Sequence, residues 1–130
     1  MTQPETRFVR GTRTLSKINA EASAQITEAL ADIAPDFATM LVEFPFGDLY
    51  SRPELDLKAR EIATIAALTV MGNAEPQLKM HIKAGLNVGL KRQQIVEIMM
   101  QMAVYGGFPS ALNALLAARA VFAEETANAT

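Results

Sequence analysis

The sequence contains no cysteine and a single histidine, and only 6% of its residues are aromatic. Without thiols there are no disulfides, thiolate nucleophiles, zinc–thiolate sites or iron–sulfur clusters. A lone imidazole leaves too few nitrogen ligands for the usual zinc site within one chain, so no metal or other cofactor is expected, although a carboxylate site for a hard cation stays open on composition alone. Positive charge is sparse as well: twelve Lys and Arg stand against fourteen Asp and Glu, a net charge of −2. No basic cluster is suited to neutralising a phosphate backbone, so nucleic acid is not an expected partner. No apolar run approaches the roughly 20 residues that span a bilayer, and no membrane association is expected. The opening stretch MTQPETRFVRGTRT has no apolar block of the secretory kind, which points to the cytoplasm.

What is present is apolar spacing at the helical period. Half of the residues are hydrophobic and mean hydropathy is +0.14. The apolar positions recur three and four apart between Gly and Pro punctuation, with no strict alternation and no Asn-Gly or Asp-Gly hairpin signal. The pattern predicts an all-α chain of about six helices. Residues 1–18 are expected as an N-terminal arm, 19–125 as one helical domain, and 126–130 as a frayed C-terminus. The first helix is predicted over Asn19 to Ile33, with Asn19 as its cap, and a second over Asp36 to Phe44. Pro45 and Gly47 then force an irregular segment. Leu57 to Met71 is apolar on nearly every side apart from Glu61 and predicts a buried central helix. Gly72 should end it and Asn73 should cap the next helix, which ends at Gly89. Gln94 marks the start of another, and Pro109 the first turn of a last helix reaching about Glu124. Met71, Met99, Met100 and Met102 cannot all face inward, so a homo-oligomer is expected to cover the remaining apolar surface.

Three stretches, GDLYSRPELDLKAREIATIAAL, HIKAGLNVG and IVEIMMQMAVYGGFPSALNA, resemble the carboxymuconolactone decarboxylase family in their order and spacing. The resemblance spans about residues 44 to 123. It implies an AhpD-like helical bundle assembled as a homotrimer or homohexamer. The peroxidases of that fold carry Cys-x-x-Cys ahead of a histidine, whereas Ala74 and Gln77 occupy those positions before His81. The resemblance therefore implies the decarboxylase branch: a cofactor-independent lyase for a small carboxylated lactone, of the kind that takes 4-carboxymuconolactone to 3-oxoadipate enol-lactone in the β-ketoadipate pathway of aromatic degradation. Tyr50, Gly106 and Lys91 depart from the residues common in such decarboxylases. The same scaffold is also compatible with a non-catalytic oligomer that binds a small ligand, and with an isomerase or hydrolase of a related lactone.

Loss of CO₂ beside a conjugated lactone leaves electron density that the lactone carbonyl absorbs, and a protonation must follow. Such a site needs a cation for carboxylate, a donor to the developing oxyanion and a proton carrier. His81 is the candidate carrier, because imidazole changes protonation state near neutrality; its structural alternative is a partly buried, hydrogen-bonded histidine. Glu61, entering an apolar helix, must be paired or protonated if buried, and is a candidate relay to His81 or a partner for Arg60. Glu97 shares a helical stripe with Gln94, Gln101 and Tyr105, which lines a pocket or forms a solvated face. Tyr105, before two glycines, is a candidate oxyanion donor or part of a helix-ending turn. Arg52 and Arg60 offer the guanidinium fork that matches a carboxylate. Lys79 and Lys83 point around the helix from the apolar face and are assigned to the surface.

Overall fold

A computed structural model describes residues 4–129. The described residues form seven α-helices and one π-helical stretch with no strand, so the chain is all-α as its periodicity predicts. They fall into two compact units, Met1–Leu57 and Lys58–Thr130.

In the N-terminal unit, α1 (Arg7–Ile18) occupies most of the stretch expected as an arm. Residues 1–3 of that arm lie outside the described residues. The Thr6 hydroxyl accepts from the Val9 amide at 3.0 Å and caps the helix, satisfying one of the first-turn amides that have no helical partner. Leu15 and Ile18 are fully buried, and their burial holds in place a helix that the polar composition of the segment disguises. Asn19 ends α1, its amide donating to Leu15 O at 2.8 Å. Its side-chain oxygen accepts from the Glu21 amide at 3.1 Å, so the predicted cap acts on the turn that leads into α2 (Ala22–Leu30), whose own N-cap is Glu21.

α3 (Pro35–Leu41) runs directly into a π-helical segment, Val42–Leu49, where an irregular loop was expected. Pro45 has no amide to donate and its ring crowds the preceding turn, which disfavours α-helical closure there. The chain widens instead, and the Tyr50 amide donates to Pro45 O, five residues back, at 2.8 Å. This wide turn packs on α1 through two glycines. A Cβ on Gly47 would lie 2.6 Å from Arg7 O, and one on Gly11 would collide with the carbonyl of Val42. Only hydrogen at both positions lets the backbones come this close.

The C-terminal unit is built differently. Here α4 (Leu57–Met71), α5 (Glu75–Asn87), α6 (Arg92–Gly106) and α7 (Phe108–Asn128) share a side-chain core. Ile65, Ile82, Ile95 and Met99 are fully buried within it, and Ala114, Ala117, Ala118 and Val121 form the inner face of α7. Each fully buried large side chain contributes about 2 kcal/mol of transfer free energy, and the small alanines let α7 lie close to its neighbours. The expectation of a wholly buried α4 is not met: Glu61, Ile65 and Thr69 are buried, while Ile62, Val70 and Met71 are exposed. An all-round apolar helix signals that every face wants cover, and this chain covers one stripe of it.

Gly72, at φ +74°, and Gly107, at φ +93°, take the left-handed region where a side chain would be strained, and so mark the end of α4 and the start of α7. Asn73 does not cap α5; Ala74 precedes it without a side-chain cap bond. Gln94 accepts from the Lys91 amide at 2.9 Å, which secures the start of α6 as predicted. Beyond Glu124, where fraying was expected, α7 continues to Asn128. Arg92 ties that end down, stacking 5.3 Å over the Phe122 ring and donating to the Thr126 hydroxyl at 2.8 Å. Thr130 lies outside the described residues.

Candidate functional site

Glu61 lies in the second turn of α4 and His81 in the middle of α5. The two helices bring the His81 Nδ1 within 2.7 Å of Glu61 Oε1, across twenty residues of sequence. The Glu61 side chain is fully buried and that of His81 is 11% exposed. A carboxylate can only accept, so an ionised Glu61 requires the imidazole hydrogen on Nδ1 and leaves Nε2 as the reactive nitrogen. Nε2 makes no hydrogen bond among the described residues. The second carboxylate oxygen, Glu61 Oε2, is buried and has no hydrogen-bond partner among the described residues. Unsatisfied buried carboxylate oxygen is costly, so this pair is the least economical feature of an otherwise apolar core.

The remaining sequence candidates are not gathered around that pair. Glu97 is exposed on α6 and accepts from Gln93 at 3.2 Å. Tyr105 is 72% exposed near the end of α6. The polar stripe of α6 is thus a surface stripe in this chain. Arg60 is half-buried one residue before Glu61. Lys83 reaches Glu125 at 3.8 Å, in keeping with a surface role.

Arg52 belongs to the N-terminal unit, where it lines a cavity of about 420 Å³ together with Arg10, Arg13 and Lys17 of α1 and with Tyr50. Tyr50 is held edge-on against Phe46, their ring centroids 4.9 Å apart. Beside the cavity, Asp48 accepts from two guanidiniums, Arg7 Nη2 at 2.6 Å and Arg10 Nη2 at 3.0 Å. The hydrogen bonds from Arg7, reinforced by its charge, hold the Asp48 carboxyl below its ordinary range and raise Arg7 above its own. Sequence reasoning passed over the α1 cations because it left that helix unassigned. Their spacing of three and four residues, with Leu15 and Ile18 on another face, was the available signal.

Residues 35–120 match the profile of the carboxymuconolactone decarboxylase family. The chain belongs to that family. Among its relatives, an uncharacterised 15.0 kDa protein of Paracoccus denitrificans is 39% identical over 98 residues, covering 75% of this chain and 73% of the relative. The 4-carboxymuconolactone decarboxylase of Acinetobacter baylyi is 30% identical over 119 residues, 91% of this chain and 88% of that enzyme. A nitrosuccinic acid decarboxylase of Metarhizium robertsii is 31% identical over 77 residues, 59% of this chain and 53% of that protein. Membership of the carboxymuconolactone decarboxylase family supports a decarboxylase-like function, and the two named decarboxylases act on different acids. Among the described residues no helix is long and apolar enough to cross a membrane.

Proposed function

We propose that this chain is a cofactor-independent carboxy-lyase for a small carboxylated lactone or a similar unsaturated acid, with 4-carboxymuconolactone as the first substrate to test. The observation that carries the proposal is the 2.7 Å contact between His81 Nδ1 and the buried Glu61. Glu61 fixes the orientation and tautomer of the ring, as carboxylate partners of functional histidines do. Loss of CO₂ leaves its electron pair in the dienolate formed with the lactone carbonyl. Nε2, having taken a proton from water to give the imidazolium, delivers that proton to the carbon next to the carbonyl, which yields the enol-lactone and returns the ring to its neutral form. Arg60, one residue before Glu61, offers the fork for the substrate carboxylate, and Tyr105 and Glu97 serve as oxyanion donor and acid where a second copy of the chain brings them to the substrate.

Purified protein incubated with 4-carboxymuconolactone should release CO₂. His81→Gln should slow turnover by about a hundredfold or more, the usual size of a general acid–base contribution. Glu61→Gln, which keeps the shape of the pair, should cost less. Turnover unchanged in His81→Gln refutes the proton role. Ligand-dependent stabilisation without CO₂ release identifies a binding protein instead, and lactone consumption without CO₂ release identifies an isomerase or hydrolase.

Self-association is part of the same proposal. Val104 and Phe108 are 77% and 81% exposed and, with Met100 and Leu112, line an apolar groove in the C-terminal unit. An exposed apolar groove of this kind favours a second copy of the chain over water. Light scattering should give a mass that is a multiple of 14.1 kDa, and Phe108→Asp should shift it toward the monomer.

A further inference from the structure

The N-terminal unit, Met1–Leu57, is acidic overall, with nine Asp and Glu against five Lys and Arg. Four of those five cations, Arg10, Arg13, Lys17 and Arg52, line the single cavity described above, and Asp56 is the one carboxylate in its wall. Charge of one sign gathered in a concavity of an oppositely charged unit focuses potential where a ligand would sit.

Three of the four cations come from one helix at positions three and four residues apart, which places them on one stripe. Their neighbours cancel them only in part. Asp48 is shared by Arg7 and Arg10, so one carboxylate serves two guanidiniums. Arg13 pairs with Glu5. Lys17 makes no ion pair among the described residues. Thr14, buried between Arg13 and Lys17 on α1, also lines the wall. Pro53, Leu55 and Leu57 add apolar surface to the wall, with Asp56 among them. A volume of about 420 Å³ is of the size that small-molecule sites have.

We propose that this cavity binds a small organic anion with two or more carboxylates. The cations of α1 and Arg52 take the carboxylates, and the apolar surface of Pro53, Leu55 and Leu57 covers the carbon skeleton. The proposal gives Arg52 a role of its own and stands apart from the chemistry of His81. The apolar surface is what selects an organic acid over inorganic phosphate, which has charge and no skeleton.

Calorimetric titration of the full chain with tricarballylate at low ionic strength tests this. Saturable binding is expected, with inorganic phosphate binding more weakly. Lys17→Gln and Arg52→Gln should each weaken tricarballylate roughly tenfold, the loss of one charge-assisted contact, and Lys17→Arg should restore most of it. Lys79→Gln, on α5, should leave affinity unchanged. His81→Gln should also bind tricarballylate normally, which separates this proposal from the decarboxylase reading. Lys17 is exposed, so its substitution leaves the fold in place. Phosphate binding as tightly as tricarballylate, affinity indifferent to Lys17 and Arg52, or binding lost in His81→Gln would each overturn it.

Discussion

The two units of this protein solve the packing problem with different parts. In the N-terminal unit the tightest place is backbone against backbone, where Gly11 of α1 meets the π-helical turn at Val42 and Gly47 meets Arg7 O. Its side-chain interactions there are charged, with the Arg7–Asp48–Arg10 cluster partly open to solvent. In the C-terminal unit the close approach at Gly85 is to side-chain ends: a Cβ there would meet Leu90 Cδ1 at 3.0 Å and Ile65 Cδ1 at 3.2 Å. Polar side chains are few in that core: Thr69 donates to Ile65 O in its own helix, and the Glu61–His81 pair carries the ionisable groups. The contrast shows where polarity is structural and where it is not. Charges at the rim of the first unit hold elements together at little desolvation cost, whereas a fully buried carboxylate in the second incurs a large one. A pair retained at that cost is the natural candidate for chemistry.

Substitutions can break this contrast or sharpen it. Gly11→Ala should have the largest effect, destabilising by about 3 kcal/mol, because the added methyl meets a carbonyl that cannot turn aside. Gly85→Ala should stay within about 1 kcal/mol of the wild type, since methyl ends can shift by a few tenths of an ångström and alanine regains helix propensity. Urea denaturation of the two variants gives the comparison directly; similar losses would show that backbone and side-chain contacts are equally yielding here. Asp48→Asn should have the smallest effect, a slight lowering of Tm at neutral pH. The folded pKa of Asp48 is depressed, so its contribution is present above the unfolded carboxyl pKa, about 4, and is lost as pH falls through the folded value. The difference between wild type and Asp48→Asn should therefore close on acidification, and a difference that persists well below that range would show that the effect is not electrostatic.

Individual residues show how far the sequence could be followed. Gly72, Gln94 and Pro109 act where the pattern placed them, because caps and turns depend on a few adjacent residues. α1 was missed because its apolar stripe is interrupted by a glycine and set among basic residues, and the reason for that glycine lies far along the chain, at Val42. α4 read as buried because nothing local distinguishes an apolar face that meets this chain from one that awaits another. Tyr105 and Glu97 shared a stripe by periodicity, yet periodicity says nothing about which side of α6 meets its neighbours.

The all-α class, most helix ends and the family were determined by the sequence, since each rests on spacing within a turn or on motifs in order. The tertiary structure alone decided that Glu61 meets His81 and that Arg52 joins Arg10, Arg13 and Lys17. Those pairings depend on where helices and turns distant in the chain come to rest against one another, and that is settled by packing as a whole rather than by any local rule.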